Sequence, residues 1–197
     1  MFVKQPEPGK VKTRLGRSIG FEQSARLYTR LARKIWNEIR QYRGCEHWVL
    51  FEPASALESV LAWLPGADRY LVQVEGDLGN RLQSAFSLAQ DGSSRAVVAI
   101  GSDVPGLSAG DLNEAFRALR SCDAVIGPAY DGGYWLIGLS RPLPEVFEGI
   151  AWSTSTVADE TIRILESRAK SYDLLRRLRD IDEAEDLREF PDLLVDL

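Results

Sequence analysis

Histidine is nearly absent from this chain and cysteine is scarce: 197 residues contain one His and two Cys. A single imidazole leaves little room for histidine-based catalysis, and His47, set between Glu46 and Trp48 at the start of an apolar run, reads as a strand-edge residue. Cys45 and Cys122 each flank an apolar run and show no spacing of a disulfide framework or a zinc site, so both are expected as buried thiols in a reducing compartment. No apolar run approaches the ~18 residues needed to span a bilayer, and the first residues carry lysines without the apolar stretch of a leader. A cytoplasmic protein that avoids membranes is the expectation. Positive charge is not in excess either. Lys and Arg number 24 against 29 Asp and Glu, a net charge of -5, which gives no overall pull toward nucleic acid or an anionic membrane. Any phosphate site has to be built locally.

Hydrophobic residues make up 45% of the chain and charged residues 27%, a globular balance, so residues 1–197 are expected to fold as one domain. Between Phe21 and Tyr42 the apolar Tyr28, Leu31, Ile35, Ile39 and Tyr42 recur at three- and four-residue steps, with Arg30, Lys34 and Arg40 between them. That spacing predicts a long amphipathic helix. Residues 48–51 and 70–74 read as strands around a helix at 56–64, and residues 78–89 as another helix. The β-branched run 96–100 has the composition of a strand buried on both faces. Ser108-Ala109-Gly110-Asp111 has the shape of an N-terminal cap for a helix over 112–119. Residues 124–126 and 135–139 read as strands about the turn Asp131-Gly132-Gly133, followed by a helix at 156–167 and an acidic segment at 180–190. Strands alternating with helices predict a Rossmann-like three-layer α/β/α fold with a mostly parallel mixed sheet, whose ligands sit beyond the carboxyl ends of the strands.

Three segments carry chemistry, and a fourth adds a weaker candidate. Lys4-Gln5-Pro6-Glu7-Pro8-Gly9-Lys10-Val11-Lys12-Thr13-Arg14 crowds four cations, two prolines and a glycine into eleven positions. Pro8 presets the backbone and Gly9 permits close approach or a positive φ. Each cation beside a phosphate gains about 4 kcal/mol of gross Coulomb energy at an effective dielectric of about 20, much of it returned as desolvation. The alternative is a solvated basic tail. Asp103, in Gly101-Ser102-Asp103-Val104-Pro105, directly follows the 96–100 strand, where a carboxylate either holds Mg²⁺ or Mn²⁺ or caps the turn before the next helix. In Gly127-Pro128-Ala129-Tyr130-Asp131-Gly132-Gly133-Tyr134-Trp135 the glycines can admit a ligand and the aromatics wall a base or sugar; equally, it is a D-G hairpin turn with aromatic core residues. Within Gly76-Asp77-Leu78-Gly79-Asn80-Arg81, Asp77 reads as a helix cap and Arg81 as the side chain that can face a ligand.

Together these segments resemble one bacterial family from Phe2 to about Leu187: proteins of unassigned role described as GT-A-type glycosyltransferases, related to nucleotide-diphospho-sugar transferases. The resemblance rests on 2–15, Gln73 with 76–82, 101–105, 127–129 with 131–134, Trp152-Ser153-Thr154-Ser155-Thr156-Val157, and Asp180-Ile181-Asp182. It implies a GT-A fold whose basic first loop holds phosphates and whose Asp103 coordinates a metal. The first loop also resembles that of phospholactate guanylyltransferases and, more distantly, of molybdenum-cofactor guanylyltransferases. The chain departs from the family in two places. Few apolar residues precede the loop, leaving the first strand short, and Val104 stands where the family commonly has cysteine. A GT-A enzyme generally carries a D-x-D pair, whereas Ser102-Asp103 supplies one carboxylate, so a second ligand is expected from elsewhere, with Asp131 the leading candidate.

The expected function is therefore metal-dependent transfer from a nucleotide-sugar to a small-molecule acceptor. Asp103 with Mg²⁺ or Mn²⁺ neutralises the leaving diphosphate, and Lys4, Pro8, Gly9, Lys12, Arg14 and Arg81 form the phosphate site. Asp131 orients the acceptor or completes the metal site, and Gly132, Gly133, Tyr134 and Trp152 contact the acceptor. Two rivals use the same residues differently: nucleotidyl transfer from GTP or CTP to a phosphorylated acceptor with release of pyrophosphate, and a nucleotide-binding module without turnover.

Overall fold

A computed structural model of the chain describes residues 1–91 and 95–193. In chain order it contains β1 (Phe2–Lys4), α1 (Thr13–Ile19), α2 (Phe21–Ile39), β2 (Trp48–Glu52), α3 (Leu57–Trp63), β3 (Arg69–Val72), α4 (Leu78–Gln90) and β4 (Val97–Ile100). It continues with α5 (Ala109–Ala118), β5 (Ala124–Pro128), β6 (Tyr134–Leu139), α6 (Val157–Ser167) and β7 (Tyr172–Leu174). The chain divides into two compact units. The first comprises Met1–Val72, Gly101–Ala109 and the segment from Arg179 on; the second comprises Gln73–Ile100 and Gly110–Leu178. No described helix is long and apolar enough to cross a membrane.

The first unit is built on a three-stranded parallel sheet in the order β1-β2-β3. Its middle strand buries Val49, Leu50 and Phe51 in succession, which is why its sequence is a continuous apolar run instead of an alternating one. Along α2 the predicted stripe is buried: Tyr28, Leu31, Ile35 and Ile39, joined by Leu27, Ala32 and Trp36. Each fully buried large side chain in this stripe contributes about 1.5–3 kcal/mol. Trp63 of α3 donates its indole N–H to Thr29 O at 2.9 Å, and Trp36 donates to Pro65 O at 3.0 Å, so both buried indoles are satisfied. The helix stops at Ile39, and the expected contribution of Tyr42 to its apolar face is corrected accordingly. His47 immediately precedes β2, where its Nε2 must donate to Ile39 O at 2.9 Å, because a carbonyl only accepts.

The second unit carries a four-stranded mixed sheet in the order β4-β6-β5-β7. β6 runs antiparallel to both β4 and β5, and β7 lies parallel to β5. The central β6 buries every residue from Trp135 to Leu139. The 96–100 strand is corrected in two respects. It pairs antiparallel, with Val97 opposite Leu139, and because β4 ends the order of its sheet Val97 and Val98 stay half-buried. β7 was not legible in the sequence, since three residues with exposed Asp173 and Leu174 leave no apolar pattern. Both cysteines are free and half-buried instead of buried; burial pushes the Cys45 thiol up to about 11.

Candidate functional site

In the first unit β1 delivers the chain into the basic loop, whose backbone is fixed before any side chain is considered. Gln5 N donates to Glu52 O at 2.8 Å, continuing the pairing of β1 with β2, and Glu7 N and Lys10 N close successive turns onto Gln5 O and Glu7 O. Pro8 and Gly9 sit exposed at the tip, where Gly9 takes φ 77 with open space around it. Lys12 then adopts φ 45 and ψ 48, a left-handed conformation that is costly for a residue with a Cβ. The sharp turn starts α1 immediately afterwards and sends the Lys12 side chain back into the unit.

There Lys12 Nζ donates to Asp103 Oδ2 at 2.8 Å and to Asp182 Oδ1 at 2.9 Å, although 91 and 170 positions separate the partners. The Lys12 side chain is 6% exposed and the two carboxylates are 35% and 39% exposed, so the ammonium lies inside and the acids line the mouth. Burial works against the Lys12 charge, but Asp103 and Asp182 outweigh it and raise its pKa above the ordinary lysine value. Arg14, on the first turn of α1, places Nη1 3.1 Å from Asp182 Oδ2 with its side chain 67% exposed. Asp180 completes the group, since one carboxylate oxygen from each of Asp103, Asp180 and Asp182 lies within 4.8 Å of the others.

Three further contacts hold these groups in register. The peptide of Ile181 donates to Asp103 O at 3.1 Å, tying the 179–189 segment to the loop after β4. Asp186 accepts from the Asp182 and Glu183 amides at 3.0 and 2.8 Å. Deep in the unit, the Tyr28 hydroxyl shares a 2.9 Å hydrogen bond with Ser102 Oγ and accepts from Lys4 N at 3.1 Å. One buried phenol thus spans the start of the basic loop and the residue next to Asp103, and its burial raises the pKa of its hydroxyl. In the sequence Tyr28 reads as a core residue of α2, and neither it nor Asp180 or Asp182 stands out as a site residue. The late D-x-D spacing of Asp180-Ile181-Asp182 was the available signal.

Of the sequence-nominated residues, the first unit brings together Lys12, Arg14 and Asp103. Lys4 sits at the root of the loop, where its ammonium is 3.6 Å from Glu52. Arg81, Asp131, Gly132, Gly133, Tyr134 and Trp152 belong to the second unit. There Asp131 Oδ1 accepts from Gly133 N at 2.9 Å, closing the expected turn. Gly132 has φ 90, and a Cβ on it would lie 1.9 Å from Ser155 O, so backbone occupies the space a side chain would need. The Tyr134 and Trp152 rings meet edge to face at 6.5 Å, and the Trp152 indole covers Gly79, where a Cβ would stand 2.5 Å from Nε1. The Tyr134 hydroxyl is buried without a well-formed hydrogen bond, beside Thr161, whose own hydroxyl donates to Val157 O. Asp77 caps α4 through Asn80 N at 2.9 Å, as its position predicted, and Arg81 donates to Gln73 Oε1 and Gly76 O. The segment holding Trp152 is fastened by Glu160, which accepts from Ala151 N at 2.9 Å and Thr156 Oγ1 at 2.6 Å.

A family model described as an uncharacterized protein conserved in bacteria (DUF2064) matches residues 35–154. The chain is similar to the crystal structure of a Desulfovibrio desulfuricans G20 protein provisionally designated a nucleotide-diphospho-sugar transferase. Identity is 32%, coverage is 97% of this chain and 85% of that one, and the TM-score is 0.90. It is also similar to 4-diphosphocytidyl-2C-methyl-D-erythritol synthase from Anaerococcus prevotii DSM 20548, with 12% identity, 83% and 85% coverage and a TM-score of 0.60. A Mycobacterium tuberculosis H37Rv protein in complex with manganese matches with 16% identity, 85% and 86% coverage and a TM-score of 0.56. At those two identities the likeness is one of fold. No curated protein matches the sequence. The α/β architecture, with its parallel and mixed sheets, is that of the nucleotide-diphospho-sugar transferase type.

Proposed function

We propose, from the premise that the chain belongs to the family described as uncharacterized protein conserved in bacteria (DUF2064), that it is a divalent-metal-assisted transferase using a nucleotide-sugar donor, its 197 residues serving one catalytic domain. The observation that carries this reading is the meeting of the basic loop, through Lys12, with the carboxylates of Asp103 and Asp182, beside which Asp180 stands. Asp103, Asp180 and Asp182 form a hard, all-oxygen donor set of the kind Mg²⁺ and Mn²⁺ take, and the manganese held by the M. tuberculosis neighbour is consistent with that choice. Such an ion would supply positive charge against the negative charge that builds on the departing diphosphate.

The chain's own groups do the positioning. Arg14, at the exposed rim, offers its remaining guanidinium N–H donors to phosphate oxygens, and Lys12 adds a donor from beneath. Lys4 and the open backbone around Pro8 and Gly9 extend the same surface along the loop. Tyr28 and Ser102 keep the loop and Asp103 at fixed separation, so the charges are preorganised before a ligand arrives. In the second unit, Gly132, Gly133, Tyr134 and Trp152 are the residues proposed to contact a small-molecule acceptor, with Asp131 orienting its hydroxyl.

A second reading has an observation of its own. Lys4, Lys10 and Arg14 are 46%, 63% and 67% exposed, and their ion pairs with Glu52, Glu7 and Asp182 are solvent-accessible, so three cations along the loop can turn toward a triphosphate. Nucleotidyl transfer from GTP or CTP to a phosphorylated acceptor would use it. Calorimetric titration with UDP-, GDP- and CDP-sugars, with and without Mn²⁺, followed by product analysis, tests both. Metal-dependent binding with release of a nucleoside diphosphate is the expected result; pyrophosphate release from a triphosphate selects the second reading, and metal-independent binding or none contradicts both.

A further inference from the structure

Lys12 occupies an awkward place for a simple phosphate ligand. Two of its three N–H donors are committed to Asp103 and Asp182, and both oxygens of Asp182 accept from cations, Oδ1 from Lys12 and Oδ2 from Arg14. Two of the three carboxylates that would hold a divalent ion are therefore already neutralised from within the chain. Counting charges, Asp103 and Asp182 supply two negatives and Lys12 and Arg14 two positives, so these four groups balance one another. A dication entering alone would have to share carboxylate oxygens with an ammonium and would turn the cluster net positive. A phosphate entering alone would face three carboxylates.

We propose that Lys12 is a resident counter-cation of the carboxylate cluster, displaced toward phosphate when a divalent ion arrives, so that ion and phosphate each bind weakly alone and tightly together. This inference rests on the metal-assisted reading above. The geometry suits a moving side chain on a fixed backbone. Gly16 N bonds Lys12 O at 2.8 Å as α1 begins, and the left-handed turn pins the Cα, while the four-carbon stem and compact ammonium can re-aim without disturbing either. Arg14, mostly exposed, can leave Asp182 with it. Because coupling is reciprocal, a phosphate that draws Lys12 away raises ion affinity by the factor by which the ion raises phosphate affinity.

The test is a Mn²⁺ titration followed by electron paramagnetic resonance, with and without inorganic phosphate and corrected by protein-free blanks, on the wild type and Lys12→Met. Phosphate is expected to tighten Mn²⁺ binding to the wild type about tenfold. Lys12→Met is expected to bind Mn²⁺ without phosphate about tenfold more tightly than the wild type and to gain nothing from phosphate. Mn²⁺ affinity that ignores phosphate in the wild type overturns the inference, as does equal affinity in the two proteins, while leaving the metal reading intact. Absence of Mn²⁺ binding under every condition overturns the metal reading itself. If Lys12→Met fails to fold by circular dichroism, the phosphate dependence of the wild type decides alone.

Discussion

In the first unit Lys12, Asp103 and Asp182 come from positions up to 170 apart and meet through side-chain ion pairs of 2.8–2.9 Å. In the second, Asp131, Gly132, Tyr134 and Trp152 are each engaged in local architecture: Asp131 closes its own turn, Gly132 abuts the Ser155 backbone, and Trp152 covers Gly79 while meeting Tyr134 edge to face. A charged cluster assembled from distant segments holds several partly exposed carboxylates around one buried ammonium, an arrangement that core packing does not require. A glycine and aromatic motif has ample structural reason to exist. The contrast marks the first unit as the stronger place to look for chemistry.

The contrast can be broken most sharply at Asp103. Asp103→Asn is expected to lower transferase turnover by about a hundredfold or more while the protein stays folded, measured by product formation and circular dichroism. Nucleotide affinity and turnover both left unchanged would return the first unit to the status of a binding module. Gly132→Ala probes the opposite side of the comparison. With φ 90 and backbone 1.9 Å from the new Cβ, it is expected to cost about 3 kcal/mol of stability in denaturant unfolding, and a cost below about 1 kcal/mol would show that the turn is not so constrained.

Asp131→Ala sharpens the boundary between the two. Loss of its bond to Gly133 N is expected to cost about 1 kcal/mol, and acceptor KM should rise more than kcat falls. Unaltered acceptor kinetics would confine Asp131 to the turn. The smallest effect concerns His47, away from either site. Burial lowers its pKa below the ordinary 6.5, so the stability tied to the neutral ring is complete above pH 6.5 and declines as pH falls below it. Thermal unfolding between pH 5 and 8 should show that decline, and His47→Gln should flatten it.

Much of the fold could be read from periodicity. The apolar stripe of α2, the continuous run of β2 and the D-G turn between β5 and β6 each state their structure locally. The strand 96–100 misled because its β-branched composition reports burial without reporting direction or position in the sheet, and it lies antiparallel at the end of its sheet's order. At the site, Lys12, Arg14 and Asp103 were visible because cations clustered in an acidic chain and an aspartate following a strand are both unusual locally. Asp180-Ile181-Asp182 is visible as a motif of the family resemblance, but it lies in an acidic tail segment whose composition matches an ordinary solvated surface and gives it no role in a site. The pairing of Asp182 with Lys12 spans nearly the whole chain, and no local pattern encodes it. Tyr28 was hidden for the opposite reason. An aromatic at a helix core position is normally explained by packing, and only its hydroxyl contacts with Lys4 N and Ser102 reveal the second role.

The most direct test of the central claim is anomalous diffraction at the manganese edge from crystals soaked with Mn²⁺ and a nucleotide-sugar. The account predicts a single strong peak among the carboxylates of Asp103, Asp180 and Asp182, with the donor's diphosphate beside Arg14. A peak at any other group of residues, or a diphosphate bound away from the 4–14 loop, would contradict it.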